Sequence, residues 1–224
     1  MKGYVSKNGK MGYRDFPKVA CTTIKLALYE MEEEEEFSSH EHGFHIHQYV
    51  TRRKTSTMDQ CERRFVVLRD PVKRFLSAYG NRVTFYEELS KEKVPKGLHH
   101  LMPHFNPTLD QFIENLDAYL NQKAIYHHTR PISDFMEGES LSYFSDIYKF
   151  EELANLETEF CSLFGSSVSF KLTQTGGKKF FLNDLSKSQM VKLIGYYEQD
   201  YKLLQGYYSE GAIWHEWEEA NNSS

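Results

Sequence analysis

Two short segments restrict the folds open to this chain. Phe16-Pro17-Lys18-Val19-Ala20-Cys21-Thr22-Thr23 follows a hydrophobic arm, and Arg69-Asp70-Pro71-Val72-Lys73-Arg74-Phe75-Leu76-Ser77-Ala78-Tyr79 follows the apolar run Phe65-Val66-Val67-Leu68. Each reads as a strand entering a loop and then a helix, with hydroxyls and a basic side chain at the helix entrance. The first N–H groups of a helix have no partner within it, and the helix dipole adds partial positive charge, so such an entrance attracts an anion. Two entrances imply a ligand with two separate anionic groups. The strand–helix alternation argues for an α/β fold with a parallel sheet.

The rest of the chain extends this pattern. Asn8-Gly9 marks a hairpin between Tyr4 and Phe16. Ile24, Ala27, Leu28 and Met31 recur at helical spacing, and the helix fades into the solvated acidic run 32–36. Residues 45–50 read as a strand, 65–68 as a buried parallel strand and 147–150 as another. Helices are expected on Val72, Phe75, Leu76, Tyr79 and Val83, on 109–120, on 153–164 and, as one long final helix, on 186–204. That last helix would turn Met190, Val191, Ile194, Tyr197, Tyr201 and Leu204 inward. Residues 91–107 form a loop with three prolines and three histidines, and 173–179 a glycine-containing loop.

Composition narrows the function. A chain of 224 residues with 40% hydrophobic residues supports one domain over 1–224. A net charge of −5 lacks the basic excess of a nucleic-acid binder. The three cysteines have no Cys-x-x-Cys spacing, which fits a reducing compartment rather than a disulfide framework or thiolate zinc site. No apolar run approaches the ~18 residues of a membrane span, and no signal-peptide pattern is evident. A soluble cytoplasmic protein is expected, of undetermined oligomeric state.

In the first loop Lys18 contributes a cation, residues 19–23 successive N–H groups, and Thr22 and Thr23 hydroxyls. The Gly-x-x-x-x-Gly-Lys-Ser/Thr spacing of a magnesium-nucleotide site and its acidic metal partner are absent. In the second, Arg69 offers planar donors, Ser77 a hydroxyl, and Arg74 either assists or faces solvent. Cys21 sits at a helix start, where a thiol pKa can fall, but reads best as a small packing residue.

Together these residues resemble the sulfotransferases that use 3′-phosphoadenosine 5′-phosphosulfate (PAPS), closest to the carbohydrate branch, sulfotransferase family 2. Pro17-Lys18-Val19-Ala20-Cys21-Thr22 is similar to that family's 5′-phosphosulfate loop, and Arg69-Asp70-Pro71-x-x-Arg74-x-x-Ser77-Ala78-Tyr79 to its 3′-phosphate motif. Tyr197-Glu198-Gln199-Asp200-Tyr201 is similar to its closing helix. Residues 173–180, with Lys178, fall where related enzymes cover the nucleotide. His128-Thr129-Arg130-Pro131-Ile132 departs from the family by ending in Ile132 rather than glutamine.

The resemblance implies a P-loop-like three-layer α/β fold, a central parallel sheet flanked by helices. It implies in-line transfer of a sulfuryl group from PAPS, without a required metal, to an acceptor hydroxyl on a glycan or small metabolite. Lys18 would neutralise developing charge, residues Val19, Ala20, Cys21, Thr22 and Thr23 would hold the 5′-phosphate, and Arg69 with Ser77 and Lys178 would complete the nucleotide site. A general base is also needed, and histidine suits neutral pH. His45 and His47 are the first candidates, His45 slightly ahead, followed by His128 and His104. His40, His42, His45 and His47 also admit a metal reading, with no carboxylate at a compelling spacing. Arg52, Arg53 and Lys54 would bind an anionic acceptor or solvate a loop. Two alternatives stay open: a P-loop-like kinase or nucleotide hydrolase, and a nucleotide-binding protein without turnover.

Overall fold

The computed structural model describes residues 1–52, 57–164, 170 and 177–222. The chain divides into two compact units, Met1–Arg69 with Met136–Thr175, and Asp70–Phe135 with Gly176–Ser224. In chain order the elements are β1 (Tyr4–Val5), β2 (Met11–Arg14), α1 (Cys21–Glu33), α2 (Ser39–His42), α3 (His47–Arg52), β3 (Arg63–Leu68) and α4 (Pro71–Ala78). Then follow α5 (Leu109–Glu114), α6 (Leu116–Tyr119), α7 (Lys123–Thr129), β4 (Asp146–Lys149), α8 (Leu153–Phe164), α9 (Lys187–Tyr196), α10 (Glu198–Leu203) and α11 (Glu210–Asn222). No described helix is long and apolar enough to cross a membrane.

The first unit holds the sheet, ordered β1-β2-β3-β4. The expected hairpin closes through Gly9 at φ 74°, with Ser6 N–H donating to the Met11 carbonyl at 2.8 Å. β1 is antiparallel to β2, whereas β2, β3 and β4 are mutually parallel. The fold is therefore α/β, with a mostly parallel sheet flanked by helices. β3 is central, and Phe65, Val66, Val67 and Leu68 are all buried, as an apolar run between two parallel neighbours requires. Tyr13 of β2 stacks on Phe65 at 4.7 Å, and Phe160 of α8 meets Phe65 edge-on at 5.3 Å. α1 buries Ile24, Ala27 and Leu28 and stops where Glu34 turns left-handed.

The second unit is helical. Asp70 caps α4, its Oδ1 accepting from the N–H groups of Val72 at 2.9 Å and Lys73 at 3.1 Å, with Pro71 in the first turn. Val72, Phe75 and Leu76 enter a core shared with Phe112, Tyr119, Met190 and Leu193. Tyr79–Phe85 continues as a π-helical stretch. α5 and α9 each start with a capping box, Thr108 with Gln111 and Ser186 with Gln189.

Several expectations give way. Residues 45–50 are not a strand: a turn leads into α3, with Tyr49 N–H bonded to the Ile46 carbonyl at 3.0 Å. The buried residues there are Ile46 and Tyr49, three apart, so the helical period outweighs the alternation. The helices over 109–120 and 186–204 are each broken in two, at Asn115 and Tyr197. Val191 is 59% exposed, because the buried face follows Met190, Leu193, Tyr197 and Tyr201. α11 was not foreseen; it is tied in by Trp217 Nε1 donating to the Leu185 carbonyl at 2.8 Å. The loop 91–107 contains a short 3-10 turn over Lys96–Leu101.

Candidate functional site

β2 hands the chain to the first anion loop, where buried Phe16 and Val19 pin the backbone. Between and after them, Lys18 and Ala20 take φ values of 69° and 63°. Neither is glycine, so each left-handed residue costs about 1–2 kcal/mol, and such strain concentrates at functional turns. Ala20 is also the N-cap of α1. It offers no side-chain hydrogen bond, and the first helical turn holds no acidic residue. The N-cap residue itself therefore offers no side chain to compete with an anion. Thr22 and Thr23 stand in that turn beside Cys21. Burial pushes the Cys21 thiol up, outweighing the pull of Lys25 and Lys18, so it stays protonated at neutral pH and the lowered pKa of a helix start does not arise.

Arg69 stands at the carboxyl end of β3. Its Nη1 donates to the Lys18 carbonyl at 3.1 Å, and its guanidinium lies over the Phe150 ring at 4.2 Å. β2 and β3 are parallel neighbours, with Arg14 opposite Val66, so both loops leave the same sheet edge. Lys18 and Arg69, predicted from separate motifs, thus meet within the first unit. Ser77 is a half-buried residue of α4 in the second unit. Lys178, also in the second unit, is exposed with its ammonium 4.9 Å from the Phe180 ring centre. Residues 53, 54 and 173–176 lie outside the described residues.

His47 joins the first loop. Its Nε2 is 3.1 Å from Thr22 Oγ1, and its Nδ1 is 3.2 Å from Lys25 Nζ. Lys25 is buried and donates to Asp15 Oδ2 at 2.5 Å. Burial raises the Asp15 carboxyl, but Lys25, Arg14 and His47 together hold it below its ordinary range. His45 is exposed, stacks on His47 at 4.9 Å, and accepts the His47 N–H at 3.3 Å through Nδ1. Lys25 and Asp15 were not singled out from sequence. The available signal was Thr22 and Lys25, three apart and so on one face of α1.

Other motif residues serve the scaffold of the second unit. Arg74 does not face solvent. It is fully buried, donating to the carbonyls of His128 at 3.1 Å, Thr129 at 3.4 Å and Arg130 at 2.5 Å. Tyr197 also donates to the Thr129 carbonyl, at 2.5 Å. Asp200 is buried and accepts the N–H groups of Ile132 and Ser133, each at 2.8 Å. Tyr201 donates to Asp70 Oδ2 at 3.1 Å. Burial pushes Asp70 up to about 6 despite those bonds. Ile132 is fully buried. His128 Nδ1 bonds the Ala124 carbonyl at 2.8 Å, and His104 contributes its carbonyl to Tyr119 at 3.2 Å. Among the described residues no group of three or more His, Cys, Asp and Glu is placed to hold a metal ion.

Residues 3–209 match the family model described as "Sulfotransferase family". No curated protein and no solved structure matches the chain.

Proposed function

Because this chain belongs to the sulfotransferase family, we propose that it transfers a sulfuryl group from PAPS to an acceptor hydroxyl on a carbohydrate or small metabolite. The observation that carries this reading is the contact of Arg69 Nη1 with the Lys18 carbonyl at 3.1 Å. It brings the Arg69 guanidinium to the backbone of the first anion loop, where two adjacent parallel strands end, which supports a donor with more than one anionic group. The strained start of α1, whose N-cap Ala20 has no capping side chain and whose first turn holds no acidic residue, fits a phosphate.

PAPS, when bound, supplies the sulfuryl group. The N–H groups of residues 19–23 and the hydroxyls of Thr22 and Thr23 hold the 5′-phosphate. Lys18 offsets the negative charge that builds as the sulfur–oxygen bond breaks, a stabilisation by position and charge alone. The motif resemblance assigns the 3′-phosphate to Arg69, Ser77 and Lys178. His45, the first of the histidine candidates, takes the acceptor's proton.

Calorimetric titration with 3′,5′-adenosine bisphosphate, 5′-AMP and magnesium-ATP tests this. The bisphosphate is expected to bind most tightly. Arg69→Ala and Ser77→Ala are each expected to weaken it by about tenfold or more, the scale of a hydrogen bond to a charged group, while changing 5′-AMP less. A preference for magnesium-ATP, or indifference of both variants to the 3′-phosphate, would reject the PAPS reading in favour of a nucleotide kinase or hydrolase.

A further inference from the structure

Lys25 is an unusual residue to find inside the first unit. It is 5% exposed, and a buried ammonium is costly unless its charge and its protons are matched. Asp15 matches the charge at 2.5 Å. Its other contact is not a second carboxylate but the ring nitrogen Nδ1 of His47, at 3.2 Å.

That contact fixes the ring. An ammonium has donors only, so His47 Nδ1 must offer a lone pair. A neutral imidazole with a bare Nδ1 carries its proton on Nε2. Nε2 lies 3.1 Å from Thr22 Oγ1, so His47 is the donor there and Thr22 the acceptor. A hydroxyl that has accepted from its protein neighbour keeps its own proton for another partner. Thr22 stands in the first turn of α1, beside the left-handed residues of the loop, where that partner would be an anion.

We infer that Asp15 and Lys25 are positioning residues that act through His47, holding it as the Nε2–H tautomer so that the Thr22 hydroxyl is presented as a donor to the bound 5′-phosphate. His47 is then a second positioning residue rather than the proton acceptor. The inference rests on the PAPS reading for the identity of the anion, but the tautomer does not depend on it. Helix α1 supplies the geometry: Thr22 and Lys25, three residues apart, bracket a single imidazole. The charged and titratable groups seen against that ring among the described residues include Lys25 from α1, Asp15 behind it, and His45 stacked on it.

The test begins with the unliganded protein, labelled with 15N-histidine, whose ring tautomers are read from long-range proton–nitrogen correlations. His47 is expected as Nε2–H, and Lys25→Met is expected to abolish that preference. Finding Nδ1–H in the wild type overturns the inference whatever the ligand, and needs no variant to fold. The second readout is 3′,5′-adenosine bisphosphate affinity. Glutamine can place an N–H where Nε2–H stood, so His47→Gln is expected to recover most of the roughly five- to tenfold loss caused by His47→Ala. Equal weakness of the two variants overturns the proposal. If the wild type shows the Nε2–H tautomer but does not bind the bisphosphate, the donor assignment fails instead.

Discussion

Replacing Asp70 by asparagine isolates the energetic cost of one buried carboxylate. Asp70 is 2% exposed, and burial moves it from an ordinary 3.8 to about 6. The folded chain thus binds this proton more tightly than the unfolded chain does. Between those two values the native state holds more protons, so this group's contribution to stability falls as pH rises through the window. Well below pH 4 the carboxyl is neutral in both states, and well above pH 6 the full cost, roughly 3 kcal/mol, is in place. Asparagine fits the bonding pattern because Oδ1 takes both N–H groups of Val72 and Lys73, while Oδ2 faces only the Tyr201 hydroxyl. An amide Nδ2 in that place can donate to the tyrosine oxygen once its hydroxyl rotates. The assay is urea unfolding of wild type and Asp70→Asn at steps from pH 4 to 8, scored as the difference between the two so that all other carboxylates cancel. Asp70→Asn is expected to gain on wild type with rising pH, by up to about 3 kcal/mol. A pH-independent deficit of the variant would refute the reasoning, since it would mean that the ionised cap is favourable in place.

Asp200→Asn should behave in the opposite way, although burial raises that carboxyl as well. Both its oxygens accept N–H groups, so an amide would set a donor against Ile132 or Ser133, and a loss of about 1–3 kcal/mol is expected in the same urea series. Arg74→Met would strand the carbonyls of residues 128–130, and thermal melting should show a loss of at least about 3 kcal/mol; a stable variant that only weakened nucleotide binding would make Arg74 a ligand instead. Ala20→Val puts a β-branched residue at φ 63° and should cost about 1–2 kcal/mol by urea unfolding, whereas Ala20→Gly should not destabilise the loop.

The sequence made the local features legible wherever a single period or turn decided them. Asn8-Gly9 needs only its own left-handed turn, and Phe65 to Leu68 needs only a buried strand. Residues 45–50 failed because alternation and helical spacing coexist in six residues, and the burial of Ile46 and Tyr49 settles the choice only after folding. The breaks at Asn115 and Tyr197 have a similar origin. Each stays on a helical face while its backbone leaves the helix, and Tyr197 reaches the Thr129 carbonyl 68 residues away. In the site, Lys18 and Arg69 could be paired in advance, because parallel strands deliver both loops to one edge. Asp15, Lys25 and His47 could not, since their meeting depends on where the chain after α1 returns.

The second motif also divides its labour in a way that spacing alone conceals. Arg69 closes β3 and touches the Lys18 carbonyl, whereas Asp70, one residue later, is turned into the second unit to cap α4 and receive Tyr201. Arg74 gathers the carbonyls of residues 128–130, and Asp200 binds the N–H groups just beyond them. The segment 128–133 is therefore held by α4 and by α10. Ile132 sits fully buried inside that segment. The backbone of that segment is fastened whatever its side chain, so a fully buried apolar residue can replace a polar one without loosening it. A polar side chain at 132 would instead have to find a partner inside the same apolar surroundings, at a cost of about 1–3 kcal/mol if it found none.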